Sequence, residues 1–546
     1  MFRLVIFGLP RIDYLPLNNG LSQWRRIGAT LGLCLLQAAC GTSQVAGITA
    51  PDDPQTRELV TQTIELVATR YIDPISRDQI LVNTLDGLSE IDDNIRVGIT
   101  PDDLVLQYDG KTVQTIALPQ TNYDQTSAEG TQIWSEITLR GLGTYRAYSP
   151  VLRNSQTSDV QAALVSGAIR NLDRYSRYEG PKQAETARNR RDGYIGIGIR
   201  LIGGDGYPVV KLVHPESPAA KAGLHPGDQI VTVNGEDMYG KTSQYAAELL
   251  HGEEGSRVII DVNTAGDRTI TPMEIVRERV IDRTVFAEIR DNILIARLTS
   301  FNSATASTLG DNILKAQLYD GGLKGVILDL RGNRGGLLQQ GVAVADLFLE
   351  NGPIGNTFSR VTAARHTFRA ETDDLTKGAP LIVLIDGRTA SSAELVAAAL
   401  QDRNRAVLVG STSFGKGSVQ AINDLPNHGT LTFTWSRMTA PSGYTFDRIG
   451  LFPAICTQSG EDDTPGHQVS TALSQRDQTA GTMVKWRSLD YRDEKNRREL
   501  RNVCPASNRS EEFDVKVALE LLKNSPDYKN LAFVGQQEIA DTFDAN

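Results

Sequence analysis

Histidine and cysteine are scarce in this chain, six and four among 546 residues. Neither falls at metal-ligand spacing, since no CxxC and no HExxH occurs, so no metal site and no cofactor is expected. Cationic clusters are missing too. Beyond short runs such as Arg188-Asn189-Arg190-Arg191, read as a solvated face, the formal net charge is −10. That balance removes nucleic acid from the expected partners. Near the start, the apolar run Ile27 to Leu36 is too short to span a membrane. What remains is ordinary for a globular protein, 40% hydrophobic, 22% charged and 6% aromatic. The length leaves room for about two to four domains.

The most informative stretch runs from Arg388 to Gln420, RTASSAELVAAALQDRNRAVLVGSTSFGKGSVQ. The apolar run Leu381 to Ile385 precedes it, and Ser392 to Leu400 reads as a helix rich in Ala and Leu. Ser391 therefore sits where a buried strand turns into a helix, beside unpaired amides that favour negative charge. A nucleophilic hydroxyl needs that setting, because attack on a carbonyl creates an oxyanion. The plainer alternative is a helix cap.

The second half of the stretch bears on that choice. Ala406 to Val409 reads as a short strand delivering Lys416 between Gly415 and Gly417. Glycines admit close backbone approach, and Phe414 and Val419 are placed to desolvate the amine. Desolvation lowers a lysine pKa from its usual value of about 10.4. If the segment is extended, Lys416, Ser418 and Gln420 share a face, and Gln420 is positioned to orient the amine. The expected constellation is a Ser-Lys dyad with an amide orienter.

Here the sequence resembles the C-terminal processing (tail-specific) serine peptidases. Their segments S-A-S-A-S-E, A-x-Q-D and T-F-G-K-G-x-V-Q appear as TASSAE, AALQD and SFGKGSVQ. The middle serine of the family pattern falls on Ser391, the lysine on Lys416 and the glutamine on Gln420. Lys416 follows Ser391 by 25 positions, the family's interval. The resemblance covers roughly Tyr71 to Pro453, with one interruption. It implies an endopeptidase that cleaves proteins near their C-termini, and a crotonase/ClpP-like α/β core.

Taken in order, residues 1–40 look like an export signal. Arg25-Arg26 precede the apolar run, and Gln37-Ala38-Ala39-Cys40 resembles a lipobox, with Gln37 where leucine is usual. That implies a periplasmic protein, lipid-anchored through Cys40. Residues 41–192 read as a helical region with an inserted segment at about 92–150. Leu104 to Gln114 within the insertion reads as a β-hairpin turning at Asp109-Gly110.

Residues 193–277 read as a β-rich module, and LHPGDQIVTVNG (Leu224 to Gly235) looks like a PDZ domain. Such domains add a peptide strand to a sheet edge and seat a terminal carboxylate in backbone amides. The expected groove lies between Ile197-Gly198-Ile199 and a helix carrying Tyr245 and Leu249. A structural spacer is the alternative. The implied partners are proteins with free, apolar C-termini, with an adaptor or further copies of the chain left open.

The peptidase core is expected over 278–456. Gly325 to Leu330 reads as a buried strand, followed by Arg331-Gly332-Asn333-Arg334-Gly335-Gly336, similar to the family's D-L-R-x-N-x-G-G with Arg334 replacing the common proline. The resemblance makes Gly335 or Gly336, together with Ser392, the source of oxyanion-hole amides. Residues 457–546 read as a polar extension, weakly patterned apart from a helix at Val515 to Leu522. Cys456 and Cys504 either pair, as an oxidising compartment favours, or stay as independent thiols.

Two rival readings exist besides a catalytically silent PDZ scaffold. Gly410 to Lys416 fits GxxxxGK after a strand, but Gly417 replaces the Ser or Thr that a phosphate loop needs for Mg²⁺. A Ser-His-Asp hydrolase would need GxSxG or a comparable elbow at Ser391, and none is there.

Overall fold

Three strands buried along their whole length form the centre of the molecule: Gly325–Asp329, Leu381–Ile385 and Ala406–Gly410. Their continuous apolar composition suits strands covered on both faces. In the computed structural model, which describes residues 53–119, 128–203, 206–264, 269–457, 464–506 and 511–532, they pair in parallel. Ile293–Leu298 adds a parallel neighbour on one side, and Val285–Arg290 closes that edge antiparallel. Ile455–Cys456 pairs in parallel on the other side, completing six strands. Helices Thr305–Gln317, Leu338–Asp346 and Ser392–Asp402 pack against this sheet, the last buried at every position. The carboxyl ends of the parallel strands point toward the turns that follow Asp329, Ile385 and Gly410. Open parallel sheets gather their functional loops at that edge.

A second sheet lies beside the first, in the order His366–Arg369, Pro353–Phe358, Thr430–Thr439, Ser418–Asp424. Its Ala421, Leu425, Leu431 and Phe433 face the amino-terminal helices, sharing one core with Leu59, Ile64, Leu81 and Leu164. Two of those helices, Pro54–Arg70 and Arg77–Asp86, start at side-chain caps, Asp53 and Ser76.

The insertion holds more than a hairpin. Asp103–Tyr108 and Lys111–Ala117 are joined at Asp109 and Gly110, both at positive φ as a tight turn of this kind requires. Ile95–Ile99 adds a third antiparallel strand, and helix Ala128–Tyr148 packs beside them.

The module near residues 193–277 has its own core around Ile230, Val233, Val258, Ile260 and Leu250. Its sheet runs in the order Ile270–Val276, Arg257–Asn263, Gln229–Val233, Val209–Val213, Ile199–Ile202. The chain enters through Tyr194–Gly196 and leaves through Glu278–Val280, which pair antiparallel as a two-stranded stalk.

The carboxy-terminal extension departs furthest from the sequence reading. Where one helix is expected, the described residues hold five: Pro465–Ser474, Arg476–Ser488, Glu494–Arg501, Glu511–Leu522 and Ser525–Ala532. Val469, Met483, Trp486, Val517, Leu521 and Leu531 are buried in the same core as the central sheet. Each helix has only a few apolar positions, so its pattern is faint until the sheet supplies the other half of the contact. Cys456 and Cys504 form a disulfide with Cα atoms 5.9 Å apart. The export segment, with Cys34 and Cys40, lies outside the described residues.

Candidate active site

The turn after Leu381–Ile385 is held from several directions. Thr389 Oγ1 donates to the Leu330 carbonyl (2.9 Å) and Ala390 N to the Asn333 carbonyl (2.9 Å). Ser391 then takes φ +59° and ψ −124°, a conformation that costs a non-glycine residue about 1–3 kcal/mol. The surroundings enforce it, and Ser391 stands, half-buried, as the N-cap of the Ser392–Asp402 helix. Gly335 abuts this point. A Cβ built there would lie 2.7 Å from Ser391 Cβ and 2.9 Å from the Ala390 carbonyl oxygen.

The two glycines differ in what their amides do. Gly335 N–H donates to Asn333 Oδ1 (2.8 Å) and is thereby engaged. Gly336 N–H and Ser392 N–H donate to no other described residue, and Ser392 Oγ donates to the Gly336 carbonyl (3.1 Å). Gly336 is exposed, whereas Gly335 is buried. Of the glycine candidates, Gly336 is the one with a donor to spare.

Lys416 arrives on the loop between Ala406–Gly410 and Ser418–Asp424. Burial is the main cause that lowers its pKa, helped by the nearby charges of Arg177 and Arg174 and opposed by Glu394 and Asp173. The covering group is Tyr175, whose ring centroid lies 4.9 Å from Nζ. Phe414, expected to do this, is instead 43% exposed. Gln420 also departs from expectation. Its amide nitrogen donates to Ser418 Oγ (3.1 Å) and Thr434 Oγ1 (3.3 Å), with no hydrogen bond to Lys416. Ser418 and Gln420 do share a face, but the strand begins only at Ser418, so Lys416 lies on the preceding loop, outside its alternation.

No hydrogen bond joins Ser391 Oγ to Lys416 Nζ among the described residues. The two segments are brought together by Glu394, a residue outside the sequence-derived candidates. Its buried carboxylate accepts from Ser391 N (2.9 Å), Lys416 N (2.8 Å), Gly415 N (2.6 Å) and the Ser413 hydroxyl. Desolvation pushes its pKa up to about 7 against the opposing pull of those four donors. Two cues were available in the sequence. A glutamate three residues after a helix-capping serine has capping-box spacing, and an acid beside the apolar run Leu395 to Leu400 must find partners if that run is buried.

The phosphate-loop alternative does not survive, because Gly417 leads into a strand, Ser418–Asp424, instead of a helix.

In the β-rich module, Ile199–Ile202 is the free edge of the sheet, and the Ser243–Leu250 helix packs beside it. Ile199 and Leu249 are partly buried at this seam. Gly198, at φ +84°, approaches Ser217 so closely that a Cβ would lie 2.3 Å from Ser217 Cβ. Ile197 is a core residue, 1% exposed, and Tyr245 turns its hydroxyl to Glu236 (2.9 Å). Ile199 and Leu249 are the side chains left partly exposed at the seam itself.

Fold and site together define a two-module protein, an α/β core with a strained serine at its carboxyl edge and a β-rich module with an open sheet edge. The model of peptidase family S41 matches residues 292–456, and that of a PDZ domain matches 209–264. The chain is 36% identical over 299 residues to the carboxy-terminal-processing protease of Bartonella bacilliformis, covering 54% of this chain and 68% of that one. It is 33% identical over 318 residues to the carboxy-terminal processing protease CtpA of Bacillus subtilis, covering 57% and 67%. A solved photosystem II D1 C-terminal processing protease aligns over 73% of this chain and 92% of its own, at 23% identity and a TM-score of 0.37. The chain belongs to peptidase family S41, with an inserted PDZ domain, and is a serine peptidase.

Proposed function

We propose that this peptidase cleaves proteins near their C-termini, with Ser391 as nucleophile and neutral Lys416 as general base. Ser391 Oγ attacks the peptide carbonyl carbon while its proton passes to Lys416 Nζ. The carbonyl oxygen becomes an oxyanion held by the N–H groups of Gly336 and Ser392. Lys416 returns the proton to the departing amine; Lys416 Nζ then deprotonates a water that attacks the ester carbon, and gives that proton to Ser391 Oγ as the C–Oγ bond breaks. The observation that carries the reading is the Glu394 carboxylate, which fixes the backbones of Ser391 and Lys416 to one buried point. Catalytic hydrogen bonds in empty sites commonly tighten only when substrate closes the site. Gln420 acts through the strand it stiffens, not by direct contact with the amine.

The PDZ edge strand Ile199–Ile202 takes the substrate tail as an added strand, and the backbone around Gly198 receives its terminal carboxylate. The accompanying division is 1–40 as a lipoprotein-type export signal, 41–192 as the helical region, 193–277 as the PDZ domain, 278–456 as the peptidase core and 457–546 as the extension. No helix among the described residues is long and apolar enough to cross a membrane, so membrane attachment in this reading rests on Cys40.

The test is peptide hydrolysis by the purified protein and three variants. Ser391→Ala, Lys416→Ala and Lys416→Arg each abolish turnover with folding retained, the last because a guanidinium keeps its proton. An active Ser391→Ala protein would refute the assignment.

A further inference from the structure

Beside Lys416 lies a cavity of about 740 Å³ whose walls carry six arginines in a chain of net charge −10. Arg174, Arg437 and Arg448 come from the helical region and the core. Arg497, Arg498 and Arg501 come from the carboxy-terminal extension. Phe414 and Ser418, which bracket Lys416 in sequence, line the cavity, and Tyr175 forms a wall shared with the amine. The cavity is therefore next to the reacting centre.

The charges are not neutralised from within. Three acids line it, Asp73, Asp173 and Asp447. Asp73 reaches Arg437 only at 3.7 Å and Asp447 reaches Arg448 only at 3.9 Å, while Asp447 Oδ1 is already engaged by Gly417 N (3.1 Å). Arg498 pairs with Glu494. Arg174, Arg497 and Arg501 have no carboxylate within ion-pair distance among the described residues. Their guanidinium groups rest on neutral oxygens, those of the Tyr175 hydroxyl and the Tyr491 and Ile449 carbonyls. Guanidinium groups left half-satisfied in a partly closed space favour a carboxylate, which matches their fork of donors.

We infer that this arginine-lined cavity binds acidic side chains of the substrate polypeptide flanking the scissile bond. It thereby adds a charge preference at the catalytic centre to whatever the PDZ domain selects at the tail. The inference rests on the Ser391–Lys416 reading of the site, and half of the recognising residues belong to the extension, so the extension is part of the specificity machinery.

Peptides identical except for Asp, Asn or Lys flanking the scissile bond provide the test. With the full-length protein, kcat/KM for the Asp peptide should exceed that for the Asn peptide by about fivefold at low salt, the scale of one partly exposed ion pair. The gap should narrow as salt rises. Arg497→Glu should shift preference toward the Lys peptide, a gain that a misfolded variant would not show. In the Ser391→Ala protein, fluorescence anisotropy should show the same order of affinities without turnover. Cleavage with no acidic preference, or a preference retained in Arg497→Glu, overturns the inference while leaving the catalytic reading intact. An acidic preference that disappears when the peptide C-terminus is amidated also overturns it, since the bound group is then the terminal carboxylate. Tighter binding of the Asp peptide by a wild-type protein that cleaves nothing supports the cavity and refutes the Ser-Lys assignment.

Discussion

At the scale of single residues, Glu394 decides how the site depends on pH. Three of its four neighbours are backbone amides that can only donate, so the carboxylate, acceptor at both oxygens, holds them more strongly than the protonated acid. Its pKa is raised, so the charged form is present above about pH 7 and is lost as pH falls through that value. Lys416 must also lose a proton to act as base, and burial lowers the pH at which it does so. Two deprotonations therefore support activity, and kcat/KM should rise with a slope approaching two at pH values where both groups are still protonated. Glu394→Gln should lose most activity, about 10²-fold from misplacement of the two segments, and its remaining activity should rise with a slope of one. A wild-type rate already level at about pH 5 would instead point to a carboxylate base.

At the scale of elements, the PDZ edge strand and its helix make a separable prediction. Leu249 lines the seam between Ile199–Ile202 and Ser243–Leu250 while remaining partly exposed, so Leu249→Glu should leave the module folded and spoil an apolar tail pocket. Cleavage of a protein bearing a free apolar C-terminus should slow about tenfold, a loss of roughly 1.4 kcal/mol of binding. Cleavage of a short peptide lacking the tail should be unaffected. If the same protein with an amidated C-terminus is cut as fast as the free acid, the proposed carboxylate seat is absent.

For the whole molecule, the extension is a structural partner of the core and not an appendage. Arg487 pairs with the buried Asp402 at 2.6 Å, and Arg331, in the turn that leads to Gly336, spans Asp329 (2.7 Å) and Asp514 (3.0 Å). Removing one member of such a pair leaves a buried charge alone, so Arg487→Ala should destabilise by about 3–5 kcal/mol in denaturant melts. The Cys456–Cys504 disulfide ties the end of the central sheet to this layer and closes a span of 48 positions. Cys456→Ser, or reduction, should cost about 2–4 kcal/mol and expose the extension to proteolysis. An unchanged melting midpoint under reducing conditions would show that the ion pairs and buried side chains suffice.

The chain itself determined the chemistry and the architecture. TASSAE, SFGKGSVQ and DLRGNRGG each encode a local need: a serine after a buried strand, a lysine between glycines, a glycine turn. The runs Leu381 to Ile385 and Ala406 to Val409 are apolar enough to name their strands without a partner. Local pattern could not reach contacts between segments far apart in the chain. Tyr175 is about 240 positions from the Lys416 it covers, and only packing brings them to 4.9 Å. The Gln420 amide is taken up by Ser418 and Thr434, and the preference for Gly336 over Gly335 came from one Asn333 side chain. The extension looked unpatterned because each helix holds only part of an apolar face, completed by the sheet beneath it. Backbone chemistry is written locally; burial, hydrogen-bond competition and charge proximity exist only once the chain has closed on itself.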